Sequence, residues 1–75
     1  MNNIRRLQIK RIIQLIEQAQ SILDEVFDDE QAAFDNMPDN FQQSSKGEQI
    51  EDNLDNIQNA MDLIGDVRDI LGNIE

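Results

Sequence analysis

Carboxylates are the side chains of this sequence that could do chemistry. Sixteen of the 75 residues are Asp or Glu, six are Lys or Arg, and there is neither His nor Cys. Paired carboxylates act as general acid and base when a pocket separates their pKa values, and clusters of them bind divalent cations. Without His or Cys, the usual general base and most transition-metal ligands are excluded.

The spacing of the acids argues against both catalysis and metal binding. In the second half of the chain they recur every three or four residues, which places them along one water-facing side of a helix. Four Asp-Asn pairs occur, at 35–36, 39–40, 52–53 and 55–56, but none has the glycine and terminal glutamate of a calcium loop. We therefore expect no enzymatic activity and no cofactor. The acidic stripe comprises Glu48, Asp52, Asp55, Asp62, Asp66 and Asp69.

The stripe has two interpretations. Charged faces usually serve only to keep small bundles soluble. Alternatively, the stripe binds a protein partner, because a charge about every 5 Å on each of two or three neighbouring helices approaches the charge density of DNA. An inhibitor that imitates DNA would use such a surface. The net charge of −10 makes direct binding of nucleic acid by the whole molecule unfavourable.

Apolar residues in the first half recur in steps of three and four, the period of an amphipathic helix. This predicts a first helix over about residues 3–35. Met37-Pro38 ends it, because the residue before proline disfavours helical geometry. The predicted contact seam is Ile9, Ile12, Ile16, Ala19, Leu23, Val26 and Ala33, interrupted at Glu30 and flanked by Ile13, Phe27 and Phe34.

A loop rich in turn-forming residues follows, over about residues 35–45. We expect Phe41, its one large apolar residue, to pack the loop onto the helix ends, and residues 39–42 to form a short helical turn. Ser45 and Glu48 match a capping box at the start of the next helix.

The second helix is predicted over about residues 46–73 and carries two apolar seams. A hairpin buries only one face of each helix, so the second seam predicts self-association, most simply a dimer of hairpins in a four-helix bundle. Gly65 is expected to admit a close backbone and Gly72 to fray the helix end. The main seam is Ile50, Leu54, Ile57, Met61, Ile64 and Leu71, and the second is Ala60, Leu63, Val67, Ile70 and Ile74, of which the last four are the predicted self-association contacts.

Positive charge is concentrated at the N-terminal end, where residues 1–16 contain four basic residues and no acid. In an antiparallel hairpin this end lies beside the end of the second helix, so we expect ion pairs there. Two alternatives stay open, namely an anion contact with a phosphate or nucleotide, and a solvated end without a partner. The cations are Arg5, Arg6, Lys10 and Arg11, and the expected partners are Asp66, Asp69 and Glu75.

These patterns predict an all-α antiparallel helical hairpin that forms a single domain over residues 1–75. No apolar run reaches the roughly 20 residues of a membrane span, and no stretch has the form of a signal peptide. We therefore expect a cytoplasmic protein without a membrane partner.

The segment EQAAFDNMPDNFQ at 30–42, followed by a serine-containing loop and an acidic helix, resembles small acidic proteins of phages, prophages and mobile elements. The pattern they share is F-D-N-M/L-P-E-N-L/F-Q between two helices. The resemblance covers about residues 30–64 and does not extend to the basic first third. It implies a helical hairpin in a bacterial host, with an accessory role such as binding a host or phage protein or inhibiting a defence system.

Overall fold

The computed structural model describes all 75 residues and contains three helices and no strand. Helix α1 spans Asn3–Asp35, α2 spans Asp39–Gln42 and α3 spans Ser45–Gly72. The two long helices pack side by side in a rod of 58 × 15 × 13 Å. The predicted antiparallel hairpin is therefore confirmed, with both long helices and the short turn within one residue of their expected bounds. None of the helices combines the length and apolar character that crossing a bilayer requires.

The long helices pair in one antiparallel register. The Arg68 guanidinium donates a hydrogen bond to Glu17 Oε2 at 3.4 Å. Gly65 lies opposite Gln20, whose Nε2 would be 4.0 Å from a Cβ built on that glycine. In both pairs the residue numbers add up to 85, so this sum identifies residues at the same level along the rod. Residues 3–12, nearly the first three turns of α1, consequently extend past the end of α3.

The face of α1 that contacts α3 differs from the predicted seam. Phe27 and Phe34, expected at its flank, are half-buried, whereas Ile12 and Val26 each stay 43% exposed and Ala33 is also exposed. Both arrangements have the helical period, but the phenylalanines remove more apolar surface from water than valine and alanine would. The half-buried apolar residues of α1 are Ile9, Ile13, Ile16, Ala19, Leu23, Phe27 and Phe34.

The main seam of α3 lies as predicted against α1. Leu54 is its most buried member at 9% exposure, and it is the only buried hydrophobic residue of the hairpin. Two helices enclose little volume, so most seam residues remain partly accessible. The half-buried members are Ile50, Ile57, Met61, Ile64 and Leu71.

The tightest contact in the fold lies between α2 and the start of α3. Gly47 is buried, and a Cβ built there would lie 2.7 Å from the carbonyl oxygen of Phe41 and still closer to the carbonyl group of Gln42. The Gln42 side chain in turn donates from Nε2 to the carbonyl oxygens of Phe34 at 3.0 Å and Met37 at 3.1 Å. These bonds satisfy carbonyl groups at and just beyond the end of α1 that have no helical partner. Backbone packing and one amide side chain therefore close the hairpin.

Three local predictions are wrong. Phe41 stays 53% exposed, so Gln42 and not Phe41 holds the loop. The N-cap of α3 is Ser44 and not Ser45, because the Ser44 hydroxyl oxygen accepts a hydrogen bond from the Gly47 amide at 3.5 Å. The side chain of Glu48 makes no capping hydrogen bond. Gly65 admits no close backbone, since a Cβ there would meet only a side-chain nitrogen at 4.0 Å.

Replacing Gln42 with leucine should lower the free energy of unfolding by about 1–2 kcal/mol, because the Met37 carbonyl loses its donor and the Phe34 carbonyl keeps only the Met37 amide. Gln43→Leu is the matched control, since Gln43 is exposed and its side chain makes no hydrogen bond. Urea unfolding followed by circular dichroism measures both variants. Equal stability of the two would show that the Gln42 hydrogen bonds do not hold the loop.

Candidate interaction surfaces

Two stripes of aliphatic side chains remain exposed on the hairpin. On α3 they are Leu63, Val67 and Ile70 of the predicted second seam, which are 64%, 46% and 65% exposed. Ile74, the last member of that seam, lies beyond the end of α3 and lines the depression at the basic end with Ile9 and Arg6. A surplus apolar stripe on α1 was also expected, but the sequence reasoning had placed Ile12 and Val26 against α3 and had not named Leu15 and Ile22. The stripe on α1 comprises Ile12, Leu15, Ile22 and Val26, which are 43%, 46%, 59% and 43% exposed.

Both stripes lie on the same broad side of the hairpin. At 100° per residue, each stripe is displaced about 100–120° from its helix's contact face, in the same sense of rotation along the chain. Equal rotations of two antiparallel, facing helices reach the same side. Residues rotated from the contact face in the opposite sense lie on the other side of the hairpin. Gln31 of α1 and Gln58 of α3 are rotated in this sense, and both line one groove on that side. We call the seven exposed aliphatic residues of the two stripes the apolar face.

Acidic residues occupy the side opposite the apolar face. On α3, Asp55, Asp62 and Asp69 of the predicted stripe lie on this side. Beside them lie acidic residues of α1 that are rotated from the contact face in the sense opposite to the aliphatic stripe. The other three members of the stripe, Glu48, Asp52 and Asp66, are also exposed but point away from α1 along the outer edge of α3. We define the acidic face as Glu17, Asp24, Asp28 and Asp35 of α1 with Glu51, Asp55, Asp62 and Asp69 of α3.

The basic end is not paired within the hairpin, so the predicted ion pairs are wrong. Arg5, Arg6, Lys10 and Arg11 are exposed, and the one ion pair in the structure joins Arg68 and Glu17. The register explains the difference for Asp66 and Asp69, which lie level with residues 19 and 16, well beyond reach of the N-terminal turns. Glu75, the third expected partner, lines the same depression as Arg6 and Lys10 but forms no ion pair with either. A phosphate or nucleotide contact at this end stays a prediction.

The depressions of the surface are shallow and open, as expected between two rods. The one at the basic end has a volume of about 400 Å³ and is lined by Ile9, Ile13 and Leu71 with Arg6 and Lys10 at its rim. No group of three or more acidic side chains converges closely enough to hold a metal ion. The two opposite faces are consequently the most organised surfaces of the molecule.

Comparisons with known proteins provide no relative from which a function could be transferred. No protein-family model, no curated protein and no solved structure matches this chain. The resemblance of the loop to phage and mobile-element proteins stays a prediction. Function has to be inferred from the two faces and the unpaired basic end.

Proposed function

We propose that this chain is a non-enzymatic protein-interaction module with a separate task for each face. The apolar face binds a second copy of the chain, and the acidic face remains accessible and binds a partner protein with a basic surface. The observation that supports this division is that eight acids along both long helices lie opposite the aliphatic stripes, with Asp29 and Glu30 as the exceptions near the end of α1. If the acids served only to keep the chain soluble, they would have no reason to lie together on the side opposite the apolar stripes.

The apolar face has the composition of a contact surface. From residue 53 to 72, the side of α3 that belongs to it carries only uncharged residues, including Asn56, Ala60 and Leu63. Contiguous exposed apolar patches of several hundred Å² mark interaction sites in proteins. Covering this face also compensates for the small core that two helices enclose.

The acidic face suits a partner surface rich in Lys and Arg. Its eight carboxylates follow both long helices, so their charges reinforce one another and steer a basic partner toward the rod. A protein site that normally contacts the DNA backbone has this character, which is the sense in which the chain would imitate DNA. An accessory role in a phage or mobile element, such as inhibiting a host defence, agrees with this proposal and rests on the sequence resemblance alone.

Neutralising the acidic face should abolish partner binding without unfolding the hairpin. We expect Asp55→Asn, Asp62→Asn and Asp69→Asn together to reduce capture of basic proteins from a bacterial lysate about tenfold or more. The control changes the same number of charges on the outer edge, with Glu48→Gln, Asp52→Asn and Asp66→Asn, and should retain capture. Quantitative mass spectrometry of the captured proteins makes the comparison.

Salt provides a second measure of the same proposal. Capture by the unmodified chain should fall steeply between low and high salt, because exposed charges are screened beyond about 8–10 Å at physiological ionic strength. Equal capture by the two triple variants, or capture that salt does not change, would contradict a role for the acidic face.

The second candidate is an assembly module whose self-association is itself the function. The exposure of Leu63, Val67 and Ile70 on α3 favours it, as does that of Ile74 beyond the end of the helix. If self-association alone is the function, the variant with a neutralised acidic face should still function. The first proposal instead requires that this variant lose function, because it no longer binds the partner protein.

A further inference from the structure

We propose that the second copy covers the apolar face in one specific arrangement, with the two hairpins antiparallel. The twofold axis runs perpendicular to the helices and passes α1 near residue 17 and α3 between residues 68 and 69. Each α1 then packs against the α1 of the other copy, and each α3 against the other α3. This inference rests on the self-association proposed above and adds the orientation and the register.

The first support is the internal symmetry of the apolar stripe on α1. Ile12, Leu15, Ala19 and Ile22 occupy alternating positions of a heptad repeat, as at a coiled-coil seam. In an antiparallel pair whose facing residue numbers add up to about 34, Ile12 meets Ile22 of the second copy and Leu15 meets Ala19. Between Ile12 and Ile22, large side chains thus pack against each other or against the half-buried Ala19, whereas Val26 meets Gln8 of the second copy.

The second support is charge. The same register places Arg5 opposite Asp29 of the second copy, and Arg11 opposite Glu25 of the second copy. All four side chains are exposed and unpaired within one hairpin. Complementary flanking charges set orientation and register in coiled coils. The N-terminal cations that α3 cannot reach would find their partners in the second molecule.

Other registers and orientations lack this match. A shift by one heptad sets Ile12 against Asp29 and Arg11 against Ala32, which buries a carboxylate and leaves the arginine without an acid. A parallel arrangement brings the two basic ends together, with four uncompensated cations from each copy. The antiparallel register therefore has the fewest electrostatic conflicts.

The third support comes from α3 and is independent of α1. Its exposed stripe is centred on the same axis, since Val67 meets Ile70 of the second copy about a point between residues 68 and 69, and Leu63 lies just beyond the end of the other α3. By the register within the hairpin, this point lies level with residues 16 and 17 of α1. Two stripes on different helices therefore share one twofold axis, as a single interface requires.

The polar half of α3 fits the same arrangement. On the side of the apolar face, the N-terminal half of α3 carries Gln49, Asn53 and Asn56 instead of aliphatic residues. In the proposed dimer no part of the other α3 reaches this half, because that helix ends at Gly72. The aliphatic residues of α3 are thus confined to the half that the arrangement covers.

The area is sufficient for a stable dimer. The seven aliphatic side chains of the apolar face keep 43–65% of their surface and contribute on the order of 600 Å² per copy, the share of one partner at the lower end of standard interfaces.

Spin-label distances test the arrangement, because the chain has no cysteine and each single cysteine is unique. We expect labels on Gln18→Cys to lie within about 20 Å of each other, and labels on Asn40→Cys, in the loop, to lie about 60 Å apart. A dimer with a short distance between the Asn40 labels would overturn the antiparallel arrangement and leave self-association standing. The absence of any dipolar coupling at concentrations of tens of micromolar would overturn both.

A charge swap tests the register. Arg11→Glu or Glu25→Arg alone should raise the dimer Kd about tenfold at low salt, because each change acts twice in the dimer. The double variant should recover the original Kd, as measured by sedimentation. Arg6→Glu is the matched control, since Arg6 lies on the side away from the apolar face, and should change the Kd less than threefold. A double variant no tighter than the single ones would overturn the register.

Discussion

Gly47→Ala is expected to lower the free energy of unfolding by about 2–4 kcal/mol, the cost of forcing a methyl group into tightly packed backbone. In a helix interior the same change normally stabilises by up to about 1 kcal/mol, because alanine has the higher helix propensity. At this position the new Cβ would collide with the main-chain carbonyl groups of Phe41 and Gln42. The Gln42 side chain holds that backbone against the end of α1, so it cannot move aside without breaking two hydrogen bonds.

Gly65→Ala is the matched control for this prediction. Its Cβ would make ordinary contact with a flexible side-chain nitrogen at 4.0 Å, so the helix-propensity gain of up to about 1 kcal/mol should be realised. Both variants are compared by urea unfolding at one protein concentration, because a self-associating chain gains stability with concentration. If Gly47→Ala were as stable as Gly65→Ala, the close contact between α2 and α3 would not exist in solution.

Leu54→Ala should lower the free energy of unfolding by about 2–4 kcal/mol. Leu54 is the only buried hydrophobic side chain, so no larger core surrounds it that could compensate for the cavity. A domain of this length has a total stability on the order of 4–11 kcal/mol. The variant should therefore lose a large fraction of its thermal stability, measured as a lower midpoint by circular dichroism.

Leu7→Ala deletes the same atoms where the side chain is 65% exposed and α1 extends past the end of α3. This variant should change the free energy of unfolding by less than about 0.5 kcal/mol. Equal losses in the two leucine variants would mean that α1 and α3 do not pack in the described register.

Periodicity determined the secondary structure and the class of fold. Apolar residues at intervals of three and four specify helices through contacts between neighbouring turns, which do not depend on the rest of the molecule. A single Pro38 and the turn-forming residues around it specified one reversal. From these local rules the bounds of α1 and α3, the short α2 and both seams of α3 were predictable.

The tertiary structure decided which of two equivalent stripes of α1 faces α3. A seam through Ile12 and Val26 and one through Phe27 and Phe34 have the same period, so spacing cannot choose between them. The choice depends on how much surface each stripe buries against the partner helix. Burial of the phenylalanines left the other stripe free to join the second seam of α3 on one side.

Long-range geometry also decided the fate of the basic end and of Gly47. Opposite charges at the two ends of the sequence suggested ion pairs, but the register and the shorter length of α3 place Arg5 and Arg6 out of reach of its acids. The need for glycine at 47 depends on the angle at which α2 meets α3, which spacing along the chain does not encode. The sequence by itself determined two amphipathic helices and one turn, because those follow from contacts within a few residues. Only the packed hairpin decided which residues stay exposed and that they lie together on one face, because this depends on the rotation and axial register of two helices far apart in the chain.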